Sequence, residues 1–168
     1  MDENGHDDFT AYASGRWASL VRAAVLLGCS HADAEDAAQA ALVKTWAHWG
    51  RVRQPAEPDA YVYRIMVNDL STSRRRRWWG EKPTAVLPDR TQRDRTGDVD
   101  LRRAVVAALG QLPVEQQQVL VLRFVADLSE RATAEVLGVA LGTVKSRTSR
   151  GIAALDPADF AAYVEDDL

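Results

Sequence analysis

The sequence predicts an all-α fold of two small helical domains joined by a flexible linker. Three observations carry the prediction. Apolar residues recur at helical spacing through both halves, no run alternates with the β-branched enrichment of a strand, and a polar stretch without periodicity separates the halves. The boundaries read as 9–77 for the first domain, 78–99 for the linker, 100–155 for the second domain and 156–168 for an acidic tail.

The first helix is predicted from Phe9, Tyr12, Trp17, Leu20, Ala24 and Leu27, with Gly28 ending the pattern. Ser30 stands where an N-cap belongs, with Asp33 three residues on as an Asp version of the capping box. The second helix should run to about Trp49 with Ala34, Ala37, Ala38, Ala41, Leu42, Thr45 and Trp49 inward, before Gly50 stops it. Pro55 and Pro58 mark a connector, and Pro58-Asp59 opens a third helix from about Ala60 to Arg77, with Val62, Ile65, Met66 and Leu70 in the core. From Gly80 to about Asp98, Pro83, Pro88 and Gly97 among Arg, Asp and Thr make a linker too polar to form a core. Periodicity resumes with Leu101, Val105, Ala108 and Leu109. Pro113 then stands at a first helical position ahead of Val119, Leu120, Leu122 and Phe124. Ser129–Leu137 and about Leu141–Leu155 form the last two helices, split at Gly138 and closed by Pro157.

Composition excludes several classes of function. The chain has 168 residues, 46% hydrophobic and 27% charged, as expected of a globular protein. No apolar run approaches the roughly 20 residues that span a bilayer, so membrane insertion is not expected. The acidic N-terminus carries no secretory signal pattern, and the expected location is the cytoplasm. Cys29 is the single cysteine, and His6, His31 and His48 share no metal-ligand spacing with it or with one another. No metal, no other cofactor and no catalysis are therefore expected. An enzyme would need a convergent set of titratable groups that the sequence does not offer. The net charge of −3 hides a strong asymmetry: acids gather at both ends, while Arg74, Arg75, Arg76 and Arg77 form an unbroken basic run ahead of Trp78 and Trp79. Screening limits each charge to about 8–10 Å, so local sign decides what a polyanion meets.

Ala134, Gly138 and Val144 have the spacing of a DNA-binding helix-turn-helix: a small residue for close crossing, a glycine for the turn and an apolar residue that packs the second helix on the first. Beyond the turn, Thr143, Lys145, Ser146, Arg147, Ser149 and Arg150 supply the hydroxyls and long cations that reading a major groove requires. On the third helix, Tyr61, Arg64, Asn68, Ser71 and Arg75 fall on one stripe, with a ring for stacking, an amide for base edges and guanidinium groups for phosphates. That set suits unpaired nucleic acid, though a solvated helix face would also account for it. Asp33, Glu35, Asp36 and Gln39 make an acidic start to the second helix, which the helix dipole alone could explain.

Together these pieces resemble a bacterial RNA polymerase sigma factor of the extracytoplasmic-function group, over about Phe9 to Leu155. Asp33-Ala34-Glu35-Asp36-Ala37-Ala38-Gln39 looks like the family's polymerase-binding segment. Asp59-Ala60-Tyr61-Val62-Tyr63-Arg64 through Asn68 to Arg77 looks like its promoter-melting and −10-reading segment. Gly142-Thr143-Val144-Lys145-Ser146-Arg147 is similar to a string in its −35-reading helix. The resemblance implies that the first domain is sigma region 2 and the second sigma region 4. It also implies an alternative sigma factor with core RNA polymerase and promoter DNA as partners, and for small members of the group often an anti-sigma factor as well. The tryptophans around Trp46 and Trp49, with Trp78-Trp79, look most like the actinobacterial sigma-E type. The sequence departs from the family at Thr133, usually apolar, at Ala132, usually an acid, and at Ala140, usually a capping Ser, which suggests a less stable second domain. The competing reading is a stand-alone helix-turn-helix regulator, which would have no need of the Tyr61–Arg77 stripe or the Asp33–Gln39 face.

Overall fold

The computed structural model describes residues 3–53, 58–80 and 98–155. Its helices are α1 (Glu3–Leu26), α2 (His31–Trp46), α3 (Trp49–Val52), α4 (Pro58–Gly80), α5 (Asp98–Gly110), α6 (Val114–Leu120), α7 (Glu130–Leu137) and α8 (Leu141–Ala154), with a π-helical turn at Val121–Val125 directly after α6. No strand occurs among the described residues. Most of the expected linker and the whole acidic tail lie outside them, but Trp78, Trp79 and Gly80 belong to α4, and Asp98 and Val99 to α5.

Local chemistry sets the ends of the helices. Gly28, at φ 94°, closes α1: its N–H donates to Val25 O at 2.9 Å while Cys29 N donates to Ala24 O at 3.1 Å. This is the paired-bond ending that a left-handed glycine allows. Ser30 caps α2, accepting from Asp33 N at 3.2 Å and donating to the Asp33 carboxylate at 2.8 Å. The second helix stops three residues short of expectation. A turn at Ala47–His48 separates α2 from α3, and the Trp49 ring then packs 4.9 Å from Tyr12 and 5.2 Å from Phe9.

The core is continuous through both halves. Leu20, Ala24 and Leu27 of α1 and its end, Ala38 and Leu42 of α2, and Val62 and Met66 of α4 share one buried cluster with Val105, Leu109, Leu120, Val121 and Leu122 of the second half. Region by region the expected helices are present, yet they do not form two separate cores. Three residues depart from the expected pattern. Trp17 and Phe124 are exposed although they fall on the helical apolar repeat, and Tyr63, part of neither the expected core of the third helix nor its stripe, is fully buried. Tyr63 turns toward α1, its hydroxyl 2.8 Å from Ser19 Oγ, on a helix that also packs against α2 and α7.

Candidate polymerase and promoter interfaces

Asp33, Glu35, Asp36 and Gln39 all lie exposed on α2, opposite the buried row Ala34, Ala38, Ala41 and Leu42. Glu35 pairs with His31 at 3.6 Å. One residue of this face escaped sequence reasoning. Val43, seven residues after Asp36 and four after Gln39, is 61% exposed, the most exposed large hydrophobic side chain among the described residues. An apolar side chain ringed by polar groups is how the centre of a protein interface is commonly built. The signal was present in the spacing, but a valine in a helix reads as core until its face is known.

On α4, Arg64 and Asn68 are exposed and Tyr61 and Ser71 half-buried. The Arg64 guanidinium carbon stands 5.4 Å from the Tyr61 ring centroid, and the His48 ring centroid 6.3 Å from it. Ser71 Oγ accepts a 3.4 Å hydrogen bond from Gln118 of α6. Arg74, Arg75, Arg76 and Arg77 continue the same helix toward Gly80; their side chains lie outside the described residues. Tyr61 and Arg64 also line a cleft of about 350 Å³ facing Ser129, Arg131, Glu135 and Val136 of the second half.

Behind the stripe, α4 is anchored to α1. Asp59 accepts from Tyr12 Oη at 3.0 Å and pairs with Arg16 at 2.7 Å. Burial, with the Asp59 carboxylate beside it, holds the Tyr12 hydroxyl well above the ordinary tyrosine range. Burial likewise pushes Tyr63 up to about 12; its 2.8 Å hydrogen bond with Ser19 pulls back, and the Asp59 charge adds to the rise.

The helix-turn-helix forms as its spacing predicts. Ala134 and Val144 pack with Val119 in a small cluster bordered by Leu137 and Val139, and Gly138 turns the chain at φ 65°. Gly151 lets α8 close on α6, since a Cβ there would stand 2.9 Å from Leu120 Cδ1. Lys145, Ser146, Ser149 and Arg150 are exposed on α8, and Thr143 and Arg147 are half-buried. Lys145 sits 3.7 Å from Glu130, and Ser146 Oγ donates to Thr143 O at 3.1 Å. The departures at Ala140 and Thr133 have structural counterparts. Ala140 begins α8 without a side-chain cap, and Thr133 is fully buried with no partner for its Oγ1. No group of His, Cys, Asp and Glu able to hold a metal occurs among the described residues, and no described helix is long and apolar enough to cross a membrane.

Comparison with known proteins fits this geometry. Residues 16–80 match the model of Sigma-70 region 2, and residues 102–155 that of Sigma-70, region 4. The chain is 36% identical over 148 residues to the RNA polymerase sigma-E factor of Streptomyces avermitilis, covering 88% of this chain and 83% of that one. It is 39% identical over 137 residues to the ECF RNA polymerase sigma factor SigM of Mycobacterium tuberculosis, covering 81% and 69%. Its fold is similar to that of the sigma factor RpoE from Bartonella quintana, solved with the anti-sigma factor NepR (TM-score 0.70, 25% identity, 88% and 93% covered). CnrH, solved with the cytosolic domain of CnrY, has the same fold at a TM-score of 0.63, 22% identity and 97% and 91% coverage. The match to region 2 accounts for the half of the chain that a stand-alone regulator would leave unexplained. The chain belongs to the sigma-70 family of RNA polymerase sigma factors, in its extracytoplasmic-function group.

Proposed function

We propose that this chain gives core RNA polymerase its promoter specificity through three separate faces and performs no chemistry of its own. The α2 face of Asp33, Glu35, Asp36 and Gln39, with Val43 as apolar anchor, docks the polymerase. The stripe Tyr61, Arg64, Asn68, Ser71 and Arg74 to Arg77 captures the opened −10 strand. Thr143, Lys145, Ser146, Arg147, Ser149 and Arg150 read the −35 box. The observation that carries the reading is the exposure of Arg64 and Asn68 on a helix that buries Val62, Tyr63, Met66 and Val67 and packs against both α2 and α7. A helix so heavily packed presents a polar stripe where it meets a partner, and a ring, an amide and a guanidinium are the groups that hold unpaired bases and their phosphates. The place of action is the cytoplasm, where polymerase and promoter are. An anti-sigma factor is a further partner, by analogy with the complex in which the Bartonella neighbour was solved.

The test is transcription in vitro from a promoter library with purified core polymerase. New start sites downstream of one recurring two-box sequence are expected only when the chain is present. Identical start sites with and without it would contradict the reading.

A further inference from the structure

Beside the Tyr61 ring stand two side chains of different chemistry, and only Arg64 comes from the same helix. The other, His48, belongs to the turn between α2 and α3, its ring plane at 52° to that of Tyr61. That turn is tied down twice. The Lys44 ammonium pairs with Asp69 of α4 at 2.5 Å, one residue along from Asn68. The Lys44 carbonyl, which the His48 N–H passes over for Thr45 O at 3.0 Å, accepts instead from Nδ1 of the His48 ring at 3.1 Å. His48 thereby satisfies a carbonyl at the end of α2 that would otherwise be an orphan, and it is held next to the helix that carries the stripe.

A carbonyl oxygen only accepts, so Nδ1 carries the proton of the neutral ring and Nε2 keeps its lone pair. His48 is exposed, and nothing among the described residues engages Nε2. The guanidinium groups of the stripe only donate; this nitrogen is an acceptor. A phosphate has no N–H to give it, but some bases have. Adenine and cytosine present an exocyclic amine, N6 or N4, where guanine and thymine present a carbonyl, O6 or O4. An acceptor fixed beside a stacking ring therefore sorts amino bases from keto bases. The Nδ1 bond makes the sorting rigid, since turning the ring to offer an N–H would break the cap.

We propose that His48 is a specificity-determining residue for the opened strand: a base resting on Tyr61 donates its exocyclic amine to Nε2, so adenine or cytosine is preferred there over guanine or thymine. The proposal rests on the reading of α4 as the helix that captures the −10 strand.

The test is heparin-resistant open-complex formation by the full chain with core polymerase, on promoter duplexes carrying each of the four bases in turn along the −10 box. His48→Asn keeps a donor within reach of Lys44 O and removes the distal acceptor, whereas His48→Gln sets an amide oxygen near the place of Nε2. The wild-type chain should prefer adenine and cytosine about fivefold at one position. His48→Asn should lose that preference while the rest of the ranking stands, with helix content unchanged by circular dichroism, and His48→Gln should recover part of it. Replacing the preferred base by its analogue without the exocyclic amine should cost the wild-type chain the same factor and His48→Asn nothing. A residue that only caps α2 would instead lower complex formation on every sequence alike. That uniform loss, or an unchanged ranking in His48→Asn, would overturn the inference and leave strand capture by α4 standing where Asn68→Ala still lowers the open-complex yield. Normal opening by Asn68→Ala would contradict the functional reading, and the inference would fall with it.

Discussion

Thr133 carries the clearest energetic consequence of a single side chain. It is fully buried and its hydroxyl has no partner, so folding strips water from a polar group without return. Thr133→Val keeps the shape and removes the unpaired oxygen, and should stabilise the chain by about 1–2 kcal/mol in urea unfolding. A loss of stability would mean that the hydroxyl is satisfied in solution. Tyr63 gives a pH signature. Its folded pKa of about 12 lies above the ordinary value of 10.0, so the stabilising effect of the neutral hydroxyl is complete below pH ~10 and is lost as pH rises through ~12, a fall of up to about 2–3 kcal/mol. Tyr12 shifts in the same direction. Tyr12 and Tyr63 should therefore form tyrosinate only as helical circular dichroism collapses; ionisation of both before unfolding would contradict the burial.

At the scale of elements, α2 and α8 make separable predictions. Replacing Asp36 with Ala and Gln39 with Arg should weaken co-migration with core polymerase in gel filtration while leaving helix content intact, and unchanged co-migration would remove this face from the docking surface. On α8, Arg150 is exposed and Arg147 half-buried. A bidentate base contact discriminates by about 1–3 kcal/mol, whereas a phosphate contact sets affinity alike for all sequences. Arg150→Ala should accordingly re-rank variants of the −35 box in binding assays, and Arg147→Ala should lower them uniformly. Equal shifts from both would show that Arg150 does not read bases. These elements were legible because their signals are local: Ser30 before α2, Gly28 and Gly138 at turns, and the Ala134–Val144 spacing all act within a few residues. The break at Ala47–His48 was not legible, because Trp49 continues the apolar period of α2 even though its ring packs on Phe9 and Tyr12 of another helix. The π turn was hidden too. Its wider bonding, Ala126 N to Val121 O at 3.0 Å, departs from the 3.6-residue repeat, and Phe124 falls on the outside.

Across the whole molecule, the sequence spoke for the helices and faces but not for the shared core. Each half carries an apolar stripe that could close on itself, and nothing in periodicity says that Leu109 and Val121 meet Leu20 and Met66. Tyr63 marks the gap: a helix buried on two sides needs a wider apolar band than a one-sided reading allots. The residues left outside that band are the ones proposed to hold the opened promoter. Asn68 is central among them, since its amide offers a donor and an acceptor in one plane to a base edge. Permanganate footprinting of wild-type and Asn68→Ala holoenzyme on one promoter tests this most directly. The variant should assemble and locate the closed promoter yet lose much of its thymine reactivity over the −10 box, and a pre-melted template should restore part of its activity. Full thymine reactivity in the Asn68→Ala complex would contradict capture of the opened strand by α4.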